Sequence, residues 1–556
     1  MRSQGGAAME EKSMLEGLMQ NDFPLTVSHL FGRMRTINGD KVVVTLGEAG
    51  TESRTYGEVG QRVDRLCAAL QSLGIGAGDR VATFMWNSSQ HLEIYMGVPC
   101  MGAVLHTLNV RLFAEQLAYI ANHAQDQIVF VDDSLVPVLE KVAPEFESVR
   151  HYVVVGDGDA GSLPNVLRYE DLIASAAPDF DYPDVDERAA AGLCYTSGTT
   201  GHPKGVLYSH RSNVLHSMAT CMADTLAINW SDRVLSVVPM FHANAWGLPY
   251  ACAMSGADMI MPARFLQGEP LAKLIEQQRV TLAAGVPTVW LDLLRYVDEQ
   301  RADLSSLRMI VCGGAAMPEA LARAFHERHN VEMVQAWGMT EMSPIGSVAK
   351  PPQSVVGTEE EWSYRTATGR IVPLVEARLT DDDGKEVPRD GSATGEVEVR
   401  GPWIASDYYE DPSGADKFRD GWLRTGDIAT IDGQGFMRIS DRSKDVIKSG
   451  GEWISSVELE NHLMAHPDVV EAAVIATPDE KWSERPLACV VIRSEATVTS
   501  DELREHLAPR VAKWWMPDDF AFIEAVPKTS VGKFDKKALR EALREGRLEQ
   551  SSQRVD

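Results

Sequence analysis

The chain of 556 residues carries a formal net charge of -27, with 44% hydrophobic and 24% charged residues. This composition is ordinary for a globular protein, and the length is sufficient for several domains. The strong negative charge argues against nucleic acid or an anionic membrane as the main partner, because both would repel the protein.

The seven cysteines are scattered, with no pair at metal-ligand spacing, which indicates reduced, mostly buried thiols in an intracellular protein. No apolar run reaches the length of about eighteen residues that a membrane-spanning helix needs. The N-terminus MRSQGGAAMEEKSM lacks the apolar core of a signal peptide. We therefore expect a cytoplasmic protein in which residues 1–25 are disordered.

Short β-branched runs alternate with amphipathic stretches over the first two thirds of the chain. This alternation predicts an α/β fold with parallel sheets covered by helices on both faces. The strand candidates are RVATFMW (80–86), IVFVDD (128–133), DRVLSVVP (232–239), ADMIMPA (257–263), TLAAGVP (281–287), RMIVCGG (308–314) and VEMVQAWG (331–338). The helix candidates between them include LAKLIEQQ (271–278) and PEALARAFHERH (318–329).

The pattern changes after about residue 375. The segments ARLT, GEVEVRG and GFMRIS alternate apolar and polar residues and are separated by Asp/Gly turns, which predicts a small antiparallel β-barrel at about 375–440. A second boundary is expected near Asp441. The segment after it holds the strand candidates EAAVIA and LACVVI and helices around 455–465, 501–512 and 535–546. It is predicted to be a compact α+β domain.

Residues 153–161, VVVGDGDAG, fit the G-x-G-x-x-G pattern of a dinucleotide-binding turn. Two aspartates would stand where pyrophosphate must bind, and Pro164 follows instead of a clean helix. The segment is therefore predicted to be a surface loop.

Residues 195–205 read YTSGTTGHPKG, with hydroxyl side chains, glycines and one lysine close together. Glycines let the backbone fold tightly around an anion, so that N–H groups, hydroxyls and the Lys204 ammonium point at it together. The string is not a Walker A loop, because Pro203 stands where Gly-Lys-Ser/Thr is required. It predicts a polyphosphate-binding loop of another kind.

This loop resembles the phosphate loop of the adenylate-forming enzymes, a superfamily that includes acyl-CoA synthetases, luciferases and peptide-synthetase adenylation domains. Further motifs resembling that superfamily follow in order: GGAA (313–316), QAWGMTE (335–341), RTGD (424–427), SDRSKDVIKSGG (440–451) and PKTSVGK (527–533). The chain looks most similar to bacterial medium- and long-chain fatty acyl-CoA synthetases. The resemblance implies a large N-terminal adenylation domain (26–440) of two helix-covered sheets plus the barrel. A small mobile C-terminal domain (441–556) would turn about a hinge at Asp441.

The resemblance implies ATP, Mg²⁺ and CoA as co-substrates and cofactor, and it assigns site residues. The catalytic set is Lys533, Thr196, Glu341 and His242, of which Thr196 and Glu341 would hold Mg²⁺. The ATP or AMP contacts are Thr196, Ser197, Gly198, Thr199, Thr200, Gly201, Lys204, Gly314, Ala315, Gln335, Ala336, Trp337, Gly338, Thr340, Asp427, Arg442, Lys448 and Trp453. The hinge and CoA-facing residues are Asp441, Lys444, Gly450 and Gly451. The acyl pocket would be lined by His242, Ala243, Trp246, Val286, Pro287 and Trp337.

The expected reaction has two steps. A carboxylate attacks the α-phosphorus of ATP, giving an acyl-adenylate and pyrophosphate, and the thiol of CoA then displaces AMP. Two anions approach in the first step, so the site needs cationic charge in the transition state. Lys533, in the frame Pro527–Lys533, matches the family's adenylation lysine and would bridge carboxylate and phosphate as a point charge. Lys536, Lys537 and Arg540 either add to this positive charge or form an ordinary basic helix face.

The substrate is expected to be a medium-chain fatty acid. The string FHANAW (241–246) lacks the aspartate with which amino-acid-activating relatives bind a substrate ammonium, so an amino acid would bury an unpaired charge. The large rings of Trp246 and Trp337 also suit a short pocket. A CoA ligase for a short, thioether or aryl acid, such as methylthio-propionate or cinnamate, is therefore the alternative.

Two other classes stay open from the sequence alone. A luciferase-like oxygenase would use the same first step and would be revealed by light or oxygen uptake from the adenylate. A binding protein without catalysis would show nucleotide-dependent thermal stabilisation without AMP formation. The expected partners are small molecules only, and the protein could also assemble as a homodimer.

Overall fold

The computed structural model describes residues 17–20, 22–196, 202–381, 383–442, 445, 447–449, 452–479, 481–493, 496–528 and 534–548. Most of the segment expected to be disordered, residues 1–16 and residue 21, lies outside this range.

The strands, in chain order, are β1 (Val42–Gly47), β2 (Gly50–Thr55), β3 (Arg80–Phe84), β4 (Val104–Thr107), β5 (Asp126–Asp132), β6 (His151–Val155), β7 (Val166–Arg168), β8 (Ala190–Tyr195), β9 (Gly205–Ser209), β10 (Arg233–Ser236), β11 (Asp258–Met261), β12 (Leu282–Gly285), β13 (Met309–Gly313), β14 (Glu332–Gly338), β15 (Ile345–Val348), β16 (Gly369–Ile371), β17 (Glu376–Thr380), β18 (Gly395–Arg400), β19 (Phe418–Arg419), β20 (Trp422–Ile431), β21 (Phe436–Arg442), β22 (Ile447–Ser449), β23 (Glu452–Ile454), β24 (Val469–Asp479), β25 (Ser483–Ile492) and β26 (Asp519–Phe522).

The helices are α1 (Val27–Thr36), α2 (Tyr56–Ser72), α3 (Ser89–Cys100), α4 (Ala114–Ala124), α5 (Val136–Leu139), α6 (Tyr169–Ser175), α7 (His210–Cys221), α8 (Leu248–Ser255), α9 (Gly268–Gln278), α10 (Pro287–Gln300), α11 (Glu319–His329), α12 (Glu360–Arg365), α13 (Ser456–Met464), α14 (Ser500–Leu507) and α15 (Lys536–Arg544). Each strand and helix candidate named from the sequence coincides with one of these elements, with ends displaced by a few residues.

The first sheet has seven strands in the order β7-β6-β5-β3-β4-β8-β9. All neighbours are parallel except β8 and β9, which form an antiparallel pair with Tyr195 opposite Gly205. Because β8 runs parallel to β4, its end at Tyr195 lies at the carboxyl edge of the sheet, where ligands of α/β proteins bind. The phosphate-loop motif begins at this edge.

The second sheet contains 14 strands along the path β17-β18-β20-β21-β16-β15-β14-β13-β12-β10-β11-β1-β2, with β19 beside β20. From β11 to β14 the neighbouring strands are parallel. The carboxyl ends of β13 and β14 are therefore adjacent, since Gly313 pairs with Ala336. This register brings the GGAA and QAWGMTE motifs to the same edge.

The strands of residues 376–442 pair antiparallel, as predicted for this part of the chain. The strands expected to form a small barrel continue the second sheet, through pairs such as Gly369 with Met437. Strand β20 carries Asp427 and was not among the strands expected from the sequence. The turn-forming residues of RTGD interrupt the alternation of apolar and polar residues along β20.

Helices cover both faces of the two sheets, as expected. One continuous core joins α1, α2, α3, α7 and α8 to strands of both sheets, so these helices form a shared middle layer. A second core packs α9, α10 and α11 on the other face of the second sheet, and a third packs α4 and α5 on the first. The two sheets are therefore packed on one shared layer of helices.

The C-terminal segment has its own sheet, in the order β23-β22-β25-β24 with β26 parallel to β25. Helices α13 and α14 pack on one face of it and α15 on the other. This arrangement is the α+β unit that the sequence predicts.

The segment after β6 runs as a loop into β7, so the VVVGDGDAG string has no helix after it. In this loop the Asp133 carboxylate accepts the N–H of Gly158 at 2.8 Å. All seven cysteines are described and none forms a disulfide, and all except Cys221 are buried. Among the described residues, no helix is both long and apolar enough to cross a membrane.

Candidate active site

The phosphate-loop motif lies in the chain between β8 and β9, which pair antiparallel. The N–H of Thr196 donates to the carbonyl of Lys204 at 2.9 Å, and the N–H of Lys204 donates to the Thr196 hydroxyl at 3.1 Å. These reciprocal bonds fix the two ends of the loop against each other. Five predicted phosphate contacts, Ser197, Gly198, Thr199, Thr200 and Gly201, lie outside the described residues and stay predictions.

The Lys204 ammonium contacts the segment that follows β18. Its Nζ lies 3.3 Å from Oδ2 of Asp411 and 4.8 Å from the ring centroid of Tyr408. The backbone carbonyl of Gly205 also accepts the N–H of Tyr409 at 2.8 Å. The segment that follows β18 is therefore fastened to the phosphate hairpin.

Glu341, the predicted Mg²⁺ ligand, lies in the turn Thr340–Met342 that follows β14. Its carboxylate is buried, and Oε1 accepts a hydrogen bond of 2.6 Å from the Tyr408 hydroxyl. The carbonyl of the preceding Thr340 accepts the hydroxyl of Tyr208 at 2.7 Å. Tyr208 is on β9, so the metal motif is attached directly to the phosphate hairpin.

The donor set at this place fits Mg²⁺. Thr196 and Glu341 offer a hydroxyl and a carboxylate, which are the hard oxygen ligands that this cation prefers. The Thr196 hydroxyl accepts one hydrogen bond and keeps acceptor capacity for a cation. Two protein ligands are few, so the nucleotide phosphates would supply others.

Gln335 secures the turn on the adenine side. Its side-chain oxygen accepts the N–H of Met317 at 2.8 Å, and its amide nitrogen donates to the carbonyl of Ala315 at 3.2 Å. The amide group thus holds the Gly314–Ala315 turn, where Gly314 has φ 79°, against β14. Its predicted contact with adenine stays a prediction, as do those of Ala336 and Gly338.

Trp337 and Asp427 form a pair across the second sheet. The indole Nε1 donates to Oδ2 of the buried Asp427 at 2.9 Å, and the ring packs on Gly346. Asp427 also lies opposite Arg442 in the register of β20 and β21. The sequence placed Trp337 in both the nucleotide set and the acyl set. The structure attaches it to the carboxylate that the resemblance assigns to ribose.

The predicted acyl-pocket motif forms a left-handed turn. Residues 243–247 have consecutive φ values of 42°, 54°, 49°, 57° and 74°, in the region that L-residues avoid. The turn is anchored at Gly247, where an added Cβ would lie 2.5 Å from Nδ1 of His216. Such a backbone path cannot be read from the string FHANAW, which contains no glycine.

The acyl and adenine motifs touch each other at this turn. A Cβ added to Gly313 would lie 2.9 Å from the Trp246 ring, so the indole covers the end of β13 directly before the GGAA turn continues. Ala243 and Pro287 are buried, while His242, Trp246 and Val286 are half-buried. Trp290 is fully buried in the core below α10.

His216 lies against this turn and was not among the residues selected from the sequence. Its Nε2 accepts the N–H of Ile345 at 3.2 Å, so it joins the left-handed turn to β15. Burial lowers the pKa of His216 to about 3. The imidazole is therefore neutral at physiological pH and serves as an acceptor.

Only some of the site residues predicted between Asp441 and Lys533 are described by the structure. Asp441 is buried in β21, and its Oδ2 accepts the N–H of Ser456 at 2.8 Å, which ties it to α13. Lys448 pairs with Trp453 across the hairpin β22–β23. Lys444, Gly450, Gly451 and Lys533 lie outside the described residues, and the side chains of Arg442, Lys448 and Trp453 are not described. Their roles stay predictions.

The basic residues of α15 pair within the C-terminal domain. Lys536 Nζ lies 2.8 Å from Oε1 of Glu460, and Arg540 pairs with Asp445. Burial alone would lower the pKa of Lys536, but the carboxylates of Glu460 and Asp441 raise it above its ordinary value. These two cations are therefore engaged by acids of their own domain, which favours a structural role for them.

Comparison with known families decides the class. The model of the AMP-binding enzymes matches residues 35–409, and that of the AMP-binding enzyme C-terminal domain matches residues 458–533. The chain belongs to the AMP-binding enzyme family. The adenylate-forming superfamily recognised from the motifs is thereby confirmed.

Three relatives cover nearly the whole chain. A long-chain-fatty-acid–CoA ligase of Thermus thermophilus is 47% identical, over 95% of this chain and 98% of its own. A 3-methylmercaptopropionyl-CoA ligase of Ruegeria lacuscaerulensis is 45% identical, over 94% and 98%. A medium-chain-fatty-acid–CoA ligase of Ectopseudomonas oleovorans is 43% identical, over 95% and 97%.

The fold is confirmed by solved structures. An anthranilate CoA ligase in complex with anthranoyl-AMP superposes with a TM-score of 0.86 at 26% identity, covering 95% of this chain and 100% of that one. The chain is thus an acid–thiol ligase of the adenylate-forming acyl-CoA synthetase class. The expectation that ATP, Mg²⁺ and CoA take part is confirmed for that class.

Proposed function

We propose that the protein is an ATP-dependent acyl-CoA synthetase that prefers medium-chain fatty acids. The single observation that supports it most is the joining of three predicted subsites at one edge. The phosphate hairpin, the Glu341 turn and the left-handed turn at Trp246 are linked by the contacts of Tyr208, Tyr408 and Gly313. A carboxylic acid and the phosphates of ATP can meet there.

The predicted site residues have distinct roles in the proposed reaction. Lys204 and the loop N–H groups bind the phosphates, while Asp427, oriented by Trp337, accepts from the ribose hydroxyls. Thr196 and Glu341 would hold Mg²⁺, whose positive charge would offset the negative charge of the ATP phosphates. Lys533 reduces the electrostatic repulsion between the carboxylate and the phosphate as the carboxylate approaches the α-phosphorus. Asp441 provides the pivot about which the segment 441–556 turns so that CoA can attack.

The proposed substrate class follows from the acyl-side residues. Trp246 and Pro287 are apolar, and the FHANAW motif carries no carboxylate to pair with a substrate ammonium. Burial of an alkyl chain against such surfaces is favourable, whereas burial of the unpaired ammonium of an amino acid is unfavourable. Two of the relatives are named for fatty acids of medium or long chain.

A short thioether or aryl acid is the second candidate. One relative at 45% identity is named 3-methylmercaptopropionyl-CoA ligase. The Trp337 ring is fixed by its hydrogen bond to Asp427 and so cannot swing away to lengthen the pocket without breaking that bond. This observation favours a limit on chain length.

The deciding experiment measures kcat/KM for saturated acids from two to eighteen carbons, together with cinnamate and methylthio-propionate. Each buried methylene contributes about 0.8 kcal/mol, so kcat/KM is expected to rise roughly three- to fourfold per carbon until the pocket is full. We expect an optimum between about six and twelve carbons on this scale. An aromatic best substrate, or one shorter than about five carbons, would contradict the fatty-acid assignment.

The variant Trp246→Ala tests whether the indole sets the limit. If the ring closes the tunnel, the optimum moves to longer acids; if the ring only packs, the chain-length profile keeps its shape. Trp230→Ala is the matched control, because Trp230 is 57% exposed and lies on the surface before β10. A shift of the optimum in both variants would reject a specific role for Trp246.

The cytoplasmic location and a homodimer are part of the same proposal, based on the sequence and its resemblance. Light scattering after gel filtration measures the assembly directly. A mass equal to that of one chain at micromolar concentration would reject the dimer.

A further inference from the structure

Tyr408 stands between the two groups that the proposed function places on the phosphates. Its hydroxyl donates to Oε1 of Glu341 at 2.6 Å, and its ring faces Nζ of Lys204 at 4.8 Å. Both partners of the hydrogen bond are buried, with 7% of Tyr408 and 6% of Glu341 exposed. One side chain therefore contacts both the predicted metal ligand and the predicted phosphate lysine.

The backbone around Tyr408 fastens the same two motifs. The N–H of Ala405 donates to the carbonyl of Glu341 at 2.8 Å, and the N–H of Tyr409 donates to the carbonyl of Gly205 at 2.8 Å. Asp411 completes the segment by pairing with Lys204. Residues 405–411 thus form a bridge between β9 and the turn after β14, and we call them the bridging segment.

The hydrogen bond restricts what the Glu341 carboxylate can do. A buried carboxylate that accepts one strong bond at Oε1 is fixed in rotation, and Oε2 has no hydrogen-bond partner among the described residues. The Tyr408 hydroxyl is the donor of this bond, because an ionised carboxylate oxygen can only accept.

We propose that Tyr408 is a positioning residue, which orients the Glu341 carboxylate towards Mg²⁺ and holds Lys204 beside the same phosphates. The inference rests on the proposed function, since it assigns the metal and phosphate roles to Glu341 and Lys204. Ring and hydroxyl have separable tasks. The hydroxyl acts through Glu341 on the cation, and the aromatic face acts on the lysine by a cation–π contact.

The variant Tyr408→Phe removes the hydroxyl and keeps the ring. ATP affinity is measured by calorimetry over a range of Mg²⁺ concentrations, and acid-dependent AMP release is measured over the same range. We expect the Mg²⁺ concentration for half-saturation to rise about tenfold in both assays, because hydrogen bonds to charged groups are among the strong ones. At saturating Mg²⁺, kcat should stay within about twofold of the parent, since no group that touches ATP is lost.

Glu341→Gln and the double variant separate positioning from packing. Because the hydroxyl acts through the carboxylate, adding Tyr408→Phe to Glu341→Gln should change the Mg²⁺ dependence no further. Tyr152→Phe is the control, since it removes a buried hydroxyl on β6 that donates at 3.4 Å to the carbonyl of Ala143 and contacts neither Glu341 nor Lys204. It should leave both assays unchanged.

The outcomes are distinguishable. Equal Mg²⁺ dependence of ATP binding in the parent and in Tyr408→Phe overturns the inference, as does an additive loss in the double variant. A parent protein that binds MgATP but releases no AMP with any acid overturns the proposed function instead. In that case the calorimetric comparison of the two proteins still decides the role of Tyr408.

Discussion

Single side chains connect subsites that are far apart in the sequence. Trp337 and Asp427 are separated by 90 positions, yet the indole nitrogen donates to the carboxylate at 2.9 Å. Tyr408 connects Glu341 to Lys204 in the same way. A change at one of these residues should therefore alter more than one step of substrate binding.

The residue expected to divide the two half-reactions is Lys533. Lys533→Ala should lower acyl-adenylate formation by about three orders of magnitude, or about 4 kcal/mol of transition-state stabilisation. Conversion of supplied acyl-AMP and CoA to the thioester should be largely preserved, because no anion approaches a phosphate in that step. The measurements are pyrophosphate release and thioester formation, each followed alone.

Lys528→Ala is the matched control for this prediction. Lys528 lies in the same segment, and its ammonium pairs with Glu471 at 2.6 Å at a partly exposed position. Its loss should affect neither half-reaction by more than about twofold, since exposed ion pairs contribute little. An equal loss of both half-reactions in Lys533→Ala would falsify the division of labour.

At the scale of elements, the turn of residues 243–247 is the most strained part of the described active-site edge. Its alanine, asparagine and tryptophan residues all have positive φ, at a cost of about 1–2 kcal/mol for each L-residue. Such strain persists only where the surroundings fix the backbone, and here α7 and β8 do so through His216 and Cys194. The turn places the Trp246 ring against Gly313.

We predict that Gly247→Ala destabilises the protein more than the backbone cost alone. Both Gly247 and Gly421 have positive φ, at 74° and 77°, but an added Cβ meets His216 at 2.5 Å in the first and nothing within 4 Å in the second. Gly421→Ala should lose about 1 kcal/mol of unfolding free energy. Gly247→Ala should lose about 2 kcal/mol more, because the imidazole must be displaced.

Urea-induced unfolding, followed by tryptophan fluorescence, compares the two variants. The second measurement is the acid chain-length profile, which should change only in Gly247→Ala because that turn carries Trp246. Equal destabilisation in both variants would show that His216 yields without cost and that the turn is not anchored there.

At the scale of the whole molecule, the proposed rotation of residues 441–556 depends on Asp441. This residue lies in β21 and pairs with Ile428 of β20, and its carboxylate accepts the N–H of Ser456 at the start of α13. It thus belongs to the second sheet through its backbone and to the C-terminal segment through its side chain. This double attachment is suited to a pivot.

We predict that Asp441→Pro spares adenylate formation and impairs CoA transfer, because proline fixes φ where a pivot must change it. Asp441→Ala is the control, since it loses the same hydrogen bond to Ser456 but keeps the backbone freedom. The assay compares the burst of adenylate with the steady-state rate. Normal steady-state turnover in Asp441→Pro, or an identical defect in Asp441→Ala, would place the pivot elsewhere.

The sequence by itself determined the class of enzyme, the α/β architecture and the order of its motifs. These properties depend on local signals: β-branched runs, turn residues, and short strings of glycines and hydroxyls that are read in continuous sequence. The strand ends at Gly313 and Gly338 were predictable for that reason, whereas the strand that ends at Tyr195 was not among those expected.

Only the tertiary structure decided which side chains meet. Trp337 reaches Asp427, Tyr408 reaches Glu341 and His216 supports Gly247, because strands, helices and connecting segments that are distant in sequence pack against one another. The left-handed turn is also invisible in FHANAW, since the four residues at positive φ before Gly247 are not glycines and contacts compensate for their strain. The local sequence pattern determines which residues form helices and strands, whereas contacts between distant elements determine which side chains meet in the site.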